Sequence, residues 1–470
     1  MNFTERLDSY QNIILYGAGR IARELLILIR SLDQELMKKI HVAVTNPSGS
    51  VTELEGIQVV SISDVSELQD SIVIIAAVPV LEEEMESYAR EHGFHHFLPL
   101  RDIIDELYET IWRKPIEKRK ILFMNHYGNG LGDNPKYIAL ELLKRSAEQL
   151  DLVWVLRHGL SGEDLPEGIR SVEYGTYEYL EELGTSHVWV DNITKSVFSR
   201  KREGQVYLQT WHGGGPLKKI SFDAAGKHSR SDLFFTEYNA GLEDLMLSPA
   251  AVNSAIWRSA LHYRGEILES GYPRNDIIRN PGKIPQRVRS ALGLPEESGI
   301  VLYAPTFHKG AAAPAIDADK ICSALEERFH RRFHFLVRLH PDDRFTAIRG
   351  TKEILNVTDY PDVQELLAAA DVLITDYSSV MWDFGVGGKP VFLIHPDNKG
   401  YEEERGYYRS FSEMPYIECT DNEDLSEKIK TFEADSYKEG MDAFLEECGC
   451  FDRGNASAIV SDWILERVNG

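Results

Sequence analysis

The residues with the clearest chemical potential follow a short apolar segment near the middle of the chain. Val206 to Thr210 is rich in β-branched and aromatic residues, which predicts a buried strand; His212, three glycines, a proline and two lysines come directly after it. Glycines after a strand let backbone N–H groups approach a ligand closely, and the lysines add positive charge. A histidine at such a corner can accept a proton near neutral pH. The simpler interpretation is a tight turn followed by a solvated lysine pair.

A second histidine-bearing corner lies far downstream. One predicted strand ends in Arg338 and His340, and Ser378 and Ser379 follow another predicted strand at the point where a helix should begin. Hydroxyls and free N–H groups at a helix start suit an anion. The alternative is structural: His340 caps its strand and Arg338 pairs with a nearby aspartate.

The elements that must position these corners alternate between strand and helix along the whole chain, with Leu233 to Thr236 as one of the candidate strands. This alternation predicts the parallel sheets of an α/β protein. We predict a Rossmann-like unit at 1–112, followed by two facing Rossmann-type domains at 118–285 and 286–470. The last helix is a candidate for crossing back to another domain. Two such domains with a cleft between them form the GT-B architecture, here with one domain in front.

The first unit opens with a strand, a glycine turn and a helix. Gly17 and Gly19 precede a helix whose N-terminus is a candidate phosphate site. Ala22 stands in place of the third fingerprint glycine, and the second strand, His41 to Asn46, lacks the acidic residue that would bind a ribose 2′-hydroxyl. NAD is therefore not expected. The unit resembles the nucleotide-sugar-binding domain of bacterial sugar O-acyltransferases, which favours a structural or substrate-docking role.

Composition excludes several classes of protein. A hydrophobic fraction of 43% with 27% charged residues is ordinary for a globular protein, and the net charge of −24 argues against a general nucleic-acid binder. No segment approaches the roughly 18 apolar residues that span a bilayer. The start of the chain lacks the features of a signal peptide. Four cysteines are too few for a disulfide framework, so a reducing cytoplasm is the expected compartment.

Six motifs follow one another through the second and third units. They are Gly132–Ile138, Gln209–Ile220, Gly271–Asp276, Tyr303–Thr306, Arg338–Pro341, and Thr375–Ser379 with Asp383 and Phe384. Together, and in this order, they resemble the CDP-glycerol glycerophosphotransferase family of wall teichoic acid synthesis, over about residues 120–470. The family commonly has threonine after His-Gly, so Gly214 and Gly215 are a local departure. This departure concerns the shape of the loop.

The resemblance implies transfer of glycerol phosphate from CDP-glycerol to a hydroxyl of a membrane-bound acceptor, with release of CMP. Such a reaction needs positioning, charge neutralisation and a base. His212 is the expected base, and His340 with Arg338 would bind the diphosphate and stabilise the departing CMP. The other expected substrate contacts are Gly213, Lys218, Arg274, Thr306, Asp376, Ser378, Ser379 and Asp383, with Asp133 and Asn134 on the acceptor side.

The sequence leaves several alternatives open. The chain is either a primase that adds the first unit to undecaprenyl-diphosphate-linked ManNAc-GlcNAc, which its short core favours, or a teichoic acid or capsule polymerase that uses CDP-glycerol or CDP-ribitol. A GT-B nucleotide-sugar glycosyltransferase is the alternative from another enzyme class, and a sensor or scaffold the alternative from outside enzymology. The oligomeric state stays open.

The expected cofactors and surroundings follow from the same residues. The sequence shows no pattern with metal-ligand spacing, so no tightly bound metal is expected, although loosely held Mg²⁺ is compatible with a diphosphate donor. A lipid-linked acceptor implies peripheral attachment at the cytoplasmic face of the plasma membrane. The basic clusters at 113–120 and 200–202 are candidate contacts with anionic lipid, or else solvated linker charge.

Overall fold

The computed structural model describes residues 2–146, 149–306, 315–339, 348–350, 354–395 and 406–469. Within them lie three large, mainly parallel sheets flanked by helices, which confirms the predicted α/β class. The helices are α1 (Phe3–Asp8), α2 (Arg20–Leu32), α3 (Pro79–Glu91), α4 (Leu100–Ile111), α5 (Asp133–Ser146), α6 (Tyr177–Thr185), α7 (Arg230–Leu242), α8 (Ala251–Ala260), α9 (Asp276–Arg279), α10 (Ile284–Ala291), α11 (Ala318–Phe329), α12 (Val363–Ala369), α13 (Val380–Val386), α14 (Asn422–Lys430), α15 (Ala434–Glu447) and α16 (Ala456–Asn469).

The first sheet belongs to the N-terminal unit. Its strands are β1 (Asn12–Tyr16), β2 (Ile40–Val44), β3 (Glu53–Leu54), β4 (Ile57–Ser61) and β5 (Ser71–Ile75). They lie in the order β3–β4–β2–β1–β5, and all pairs are parallel except β3 with β4. Gly17, directly after β1, has φ +128°, and a Cβ there would lie 2.7 Å from the carbonyl oxygen of Ala76. Only glycine permits this close approach.

The second sheet has seven parallel strands. They are β6 (Glu117–Met124), β7 (Asp151–Leu156), β8 (Ile169–Glu173), β9 (Ser186–Asp191), β10 (Val206–Gln209), β11 (Leu245–Leu247) and β12 (Glu266–Leu268). Their order is β12–β11–β10–β9–β6–β7–β8, so the direction of the strand order reverses between β6 and β9. Ligands of open parallel sheets bind outside the carboxyl ends of the strands at such a reversal.

The third sheet has six parallel strands, and a separate two-stranded sheet pairs β14 with β16. The strands are β13 (Gly299–Tyr303), β14 (Ile316–Asp317), β15 (Phe333–Val337), β16 (Ile348–Arg349), β17 (Ile354–Asn356), β18 (Val372–Thr375), β19 (Val391–Ile394) and β20 (Ile417–Cys419). The six-stranded order is β17–β15–β13–β18–β19–β20, with the reversal between β13 and β18. The last helix, α16, packs on the second sheet, where Val460 and Ile464 share a core with Ile121.

The first unit is joined to the second by a continuous apolar core. Residues of α2 and α4 pack with Leu122, Trp189 and Tyr207 of the second sheet. Arg20, the first residue of α2, donates from Nη1 to the hydroxyl of Tyr127 and to the carbonyl of Thr194 (3.3 Å). The start of α2, which the sequence predicts as a candidate phosphate site, therefore lies in contact with the second unit.

One predicted strand is a helix. Leu233 to Thr236 lies inside α7, and the next strand, β11, begins only at Leu245. The reason is a capping box: the backbone N–H of Asp232 donates to Ser229 Oγ, and that of Ser229 donates to Asp232 Oδ2, both at 3.1 Å. These two bonds satisfy orphan donors at the helix start, and they outweigh the β propensity of the two phenylalanines.

The basic cluster at 200–202 is occupied by contacts within the chain. Arg200 pairs with Asp105 (2.7 Å) and Lys201 with Asp244 (2.5 Å), while Arg202 donates to backbone carbonyls at 112, 114 and 184. The contacts of Arg200 with Asp105 and of Arg202 with residue 112 join the first two units, and the engagement of all three side chains argues against this cluster as a lipid-facing surface. Among the described residues, no helix combines the length and apolar character needed to cross a bilayer.

Candidate active site

The first predicted corner lies at the carboxyl edge of the second sheet, beside its strand-order reversal. Met124, Asp191 and Gln209 are aligned across β6, β9 and β10, so the residues that follow them emerge at one edge of the second sheet. These residues include Asn125, His126, Asn192 and His212. In the third sheet the same position holds Thr306 and Asp376, and the Thr306 N–H donates to Asp376 Oδ1 (2.7 Å).

His212 is held in one tautomer by the backbone. Its Nδ1 lies 2.7 Å from the carbonyl oxygen of Asn192. A carbonyl oxygen only accepts, so Nδ1 carries the proton and Nε2 presents a lone pair. Among the described residues, none hydrogen-bonds to Nε2. His212 therefore has the form that a general base requires.

The surroundings of His212 keep it neutral. Burial, with the neighbouring His126 ring at a centroid distance of 5.1 Å, lowers the pKa of His212 to about 4. His126 lies 3.6 Å from Asp133 Oδ2 through its Nε2. A diphosphate bound beside His212 would raise its pKa, because a nearby negative charge favours the imidazolium.

A cavity of about 200 Å³ opens between the His212 loop and the third sheet. Its wall combines the loop after β10, helix α8, and the loop after β18, through residues that include His212, Gly213, Lys218, Trp257, Tyr377 and Ser379. A Cβ on Gly213 would lie 3.7 Å from Ser379 Oγ, so the loop directly faces the start of α13. Four residues predicted from the sequence thus meet in one hollow between the second and third units.

The glycine loop packs face to face with Trp382 of α13. A Cβ on Gly214 would lie 2.4 Å from Trp382 Cδ1, and one on Gly215 would lie 2.5 Å from its Cε3. Gly215 also has φ +80°, and it exchanges backbone hydrogen bonds with the Asn253 amide. Trp382 therefore leaves no room for a side chain at Gly214 or Gly215, so a threonine would not fit there.

We expect alanine at Gly214 or Gly215 to destabilise the protein by about 1–3 kcal/mol, because the added methyl overlaps a fully buried indole. Gly213→Ala is the matched control, since its Cβ would make only ordinary contacts. Urea unfolding of the three variants measures the difference. Adding Trp382→Leu should recover part of the loss in Gly214→Ala, but not in Gly215→Ala, whose positive φ strains any side chain. Equal stability of all three single variants would contradict this packing.

Arg274 lies in a buried ion-pair network that joins the second and third units. Its Nη1 donates to Asp133 Oδ1 (2.8 Å) and to the carbonyl of His212 (2.9 Å), and its Nη2 lies 2.9 Å from Asp383 Oδ2. Burial would raise the pKa of Asp133, but Arg274 and His126 hold it well below its usual range. With both terminal nitrogens engaged, this geometry favours a positioning role for Arg274 over the predicted contact with substrate.

Asn134 and Asp383 belong to the same network. Asn134 is fully buried; its Nδ2 donates to the carbonyl of Trp211 (3.2 Å), and its Oδ1 accepts from the Arg274 N–H. Asp383 accepts from Asn275 and Gln364 as well as from Arg274. These contacts hold the backbone on both sides of His212, whereas direct contact of Asn134 and Asp383 with the substrates stays a prediction.

The family comparison agrees with this arrangement. A model of the family described as CDP-Glycerol:Poly(glycerophosphate) glycerophosphotransferase matches residues 106–466. The chain belongs to this family. Residues before 106, including the first sheet, lie outside the match.

Individual relatives support this membership. The chain is 29% identical to the teichoic acid poly(glycerol phosphate) polymerase of Staphylococcus epidermidis, over 75% of this chain and 51% of the relative, so it spans about half of that protein. It is 27% identical to the teichoic acid glycerol-phosphate transferase of Staphylococcus aureus, over 74% and 93% of the two chains. A solved structure of the wall teichoic acid polymerase TagF, a histidine-to-asparagine variant soaked with CDPG, is 26% identical over 84% and 99% of the chains, with a TM-score of 0.66.

These similarities confirm the family and the GT-B-like pair of Rossmann-type domains behind an N-terminal Rossmann-like unit. Membership makes the chain an enzyme of the glycerophosphotransferase class. The remaining predicted residues of this glycerophosphotransferase occupy the third sheet. Ser379 is the N-cap of α13, and Ser378 Oγ accepts from the Val380 N–H (3.4 Å).

Arg338 and His340 differ in what the structure says of them. Arg338 is half-buried at the end of β15, and its Nη1 donates to the carbonyls of Val357 (3.2 Å) and Tyr360 (2.6 Å). These bonds fix the guanidinium, and its diphosphate contact stays a prediction. His340 lies outside the described residues, so its catalytic role is likewise a prediction.

Asn192 is the residue of this glycerophosphotransferase that sequence reasoning undervalued. Its carbonyl orients His212, its Nδ2 donates to Asn125 and to Asp133 Oδ2 (2.9 Å each), and its Oδ1 accepts from the His126 N–H. Its position directly after a strand was a visible signal. The role of Asn192 could not be predicted because it depends on the strand order, which places β9 between β6 and β10.

Proposed function

We propose that this chain transfers glycerol phosphate from CDP-glycerol to a hydroxyl of a lipid-linked acceptor in wall teichoic acid synthesis, and that it acts as the primase. The observation that carries the proposal is the His212 corner: a neutral imidazole with Nε2 free among the described residues, in a cavity shared with Lys218 and Ser379. The family match and the CDPG soaked into TagF support the choice of donor.

The proposed reaction is a displacement at phosphorus. Nε2 of His212 takes the proton of the acceptor hydroxyl while that oxygen attacks the phosphorus that carries glycerol. A bond forms between the acceptor oxygen and phosphorus, and the bond from phosphorus to the oxygen of CMP breaks, so CMP leaves with the electron pair. Proton removal by a positioned base contributes about 10²–10⁴-fold to such a rate.

The donor diphosphate is assigned to the side of the third sheet. Lys218 supplies positive charge in the cavity, and Ser379, at the start of α13, supplies a hydroxyl donor. Thr306 and Asp376 lie at the strand-order reversal of that sheet and are the proposed contacts to the nucleotide or glycerol part. His340 and Arg338 are proposed to stabilise the departing CMP.

Incubation with CDP-glycerol and a lipid-linked ManNAc-GlcNAc disaccharide tests the proposal. The expected product is heavier by one glycerol phosphate unit, with one CMP released for each transfer, as measured by mass spectrometry. A glycosidic product from a nucleotide sugar would refute the proposal in favour of a GT-B glycosyltransferase. Addition of many units to a primed acceptor would indicate a polymerase, and turnover with CDP-ribitol would change the donor.

We propose that no tightly bound metal takes part, and that Mg²⁺ assists at most as a loose partner of the diphosphate. Among the described residues, no cluster of three or more His, Cys, Asp or Glu side chains has a geometry suited to a metal. We expect EDTA to leave most of the turnover, because Lys218 and the α13 start can neutralise the diphosphate. Complete loss with EDTA, reversed only by a divalent cation, would overturn this expectation.

We propose peripheral attachment to the cytoplasmic face of the plasma membrane through the basic cluster at 113–120, where Lys118 and Arg119 are exposed. Reversing both charges to glutamate should reduce flotation with vesicles containing anionic lipid, and added salt should have the same effect. Lys144→Glu, at an exposed position of α5, is the control. Unchanged flotation of the double variant would exclude this surface.

A further inference from the structure

A second cavity, of about 280 Å³, also has His212 in its wall. Trp211, His212 and Ile220 line both cavities, so the His212 loop separates them. The other walls come from α7, the segment after Ile220 and the loop after β9, through residues that include Thr194, Ser221, Asp232, Thr236, Ala240 and Glu243. A base between two cavities is placed to receive a donor from one side and an acceptor from the other.

The two cavities differ in charge. The first contains Lys218 and, among its described lining residues, no carboxylate. The second contains Asp232 and Glu243 together with His228, and the described residues that line it include no lysine or arginine. Like charges in a partly dry site repel strongly, so an anionic diphosphate favours the first cavity and is disfavoured in the second.

The polar groups of the second cavity are suited to hydrogen bonds with the hydroxyl groups of a ligand. Glu243 is buried and accepts from Gln209 Nε2 (3.3 Å), and burial raises its pKa to about 7, so it can both donate and accept near neutral pH. Ser221 Oγ and Thr236 Oγ1 lie 2.6 Å apart. Trp211 stacks on His212 at a centroid distance of 4.8 Å and adds an aromatic, amphipathic surface beside the base.

From this geometry we infer that the second cavity binds the neutral terminal sugar of the acceptor and presents one of its hydroxyls to His212 from the side opposite the donor. The inference rests on the proposed function and specifies its acceptor. A chain that ends in glycerol phosphate would bring a phosphodiester within three carbons of the reacting oxygen, close to the Asp232 carboxylate and to Glu243, which is partly ionised near neutral pH. A saccharide end keeps its phosphates far from them.

Filling the cavity tests this assignment. Ala240 lines it from α7, so Ala240→Phe should raise the KM for a short-chain lipid-linked ManNAc-GlcNAc about tenfold or more, while the KM for CDP-glycerol stays within about twofold. Ala240→Ser keeps the space and is the matched control. Gly241→Ala, whose Cβ would meet open space on the same helix, controls for changes to α7 itself.

A charge variant keeps the test decisive if Ala240→Phe fails to fold. Thr236→Lys places a cation in the wall, so it should lower the preference for the disaccharide over an acceptor ending in glycerol phosphate by about tenfold. Unchanged acceptor KM in folded Ala240→Phe, or unchanged preference in Thr236→Lys, would overturn the inference and leave the proposed function intact. Absence of transfer by the unaltered protein to either acceptor would instead refute the proposed function.

Discussion

Replacing His212 by alanine is expected to slow glycerol phosphate transfer by about 10²–10⁴-fold and to leave CDP-glycerol binding nearly intact. The variant removes the proton acceptor, while Lys218 and Ser379 remain in the donor cavity. Single-turnover transfer measures the rate, and isothermal titration calorimetry measures donor affinity. His158→Ala, at a histidine with 78% of its side chain exposed, is the control. Loss of donor binding in His212→Ala would contradict the role of base.

The pH dependence of this reaction follows from the low pKa of His212. Since that pKa is about 4, the imidazole of the free enzyme is neutral at pH 6 to 8, so kcat/KM for CDP-glycerol should show no acid limb from His212 there and should fall as the pH approaches 4. In the unfolded chain histidine titrates near 6.5. Between these values the folded state binds fewer protons, so His212 reduces stability as the pH falls from about 6.5 to 4. An acid limb of kcat/KM near pH 6.5 would contradict this environment.

Arg274→Leu is expected to destabilise the protein by about 3–5 kcal/mol, because it leaves two buried carboxylates without their cation. Asp133 and Asp383 lie on opposite sides of the contact between the second and third units, and Arg274 reaches both. The carbonyl of His212 also loses a donor, so transfer should fall with stability. Urea unfolding monitored by fluorescence measures the first effect, and the transfer assay the second.

The pH identifies the cause of this loss. Without the Arg274 cation, the buried carboxylates of Asp133 and Asp383 can take up protons as the pH falls. The loss of stability in Arg274→Leu should therefore be smaller at pH 5 than at pH 8. Arg30→Leu, which breaks a partly exposed pair with Glu55, should cost less than about 1 kcal/mol at both values. A deficit of Arg274→Leu that does not change with pH would point to lost packing alone.

Much of the site could be predicted because its signals are local. The apolar strand before His212 and the glycines after it lie within a few residues of one another, and the serines before α13 directly follow a strand of their own. The structure brings His212 and Ser379 into one cavity. The family motifs added the reaction. The same local reasoning misassigned Leu233 to Thr236, since aromatic residues outweighed the capping box formed by Ser229 and Asp232.

The remainder depends on contacts distant in sequence. The sequence predicts Arg274 as a substrate contact, but in the structure it is buried between Asp133 and Asp383, each more than a hundred positions away. The role of Asn192 depends on β9 lying between β6 and β10. Strand order is decided by packing between units, and no local pattern records it.

The contact made by Arg20 bears on how small an active form of this enzyme can be. Its guanidinium bonds to the backbone at Thr194 and Lys195 and lies 4.0 Å from the centroid of the Phe235 ring. A chain cut back to the family match would lose this support two residues beyond Asn192, whose carbonyl sets the proton position on His212. The N-terminal unit therefore braces the backbone beside the base, and we expect a chain that begins at residue 106 to transfer glycerol phosphate more slowly than the full chain.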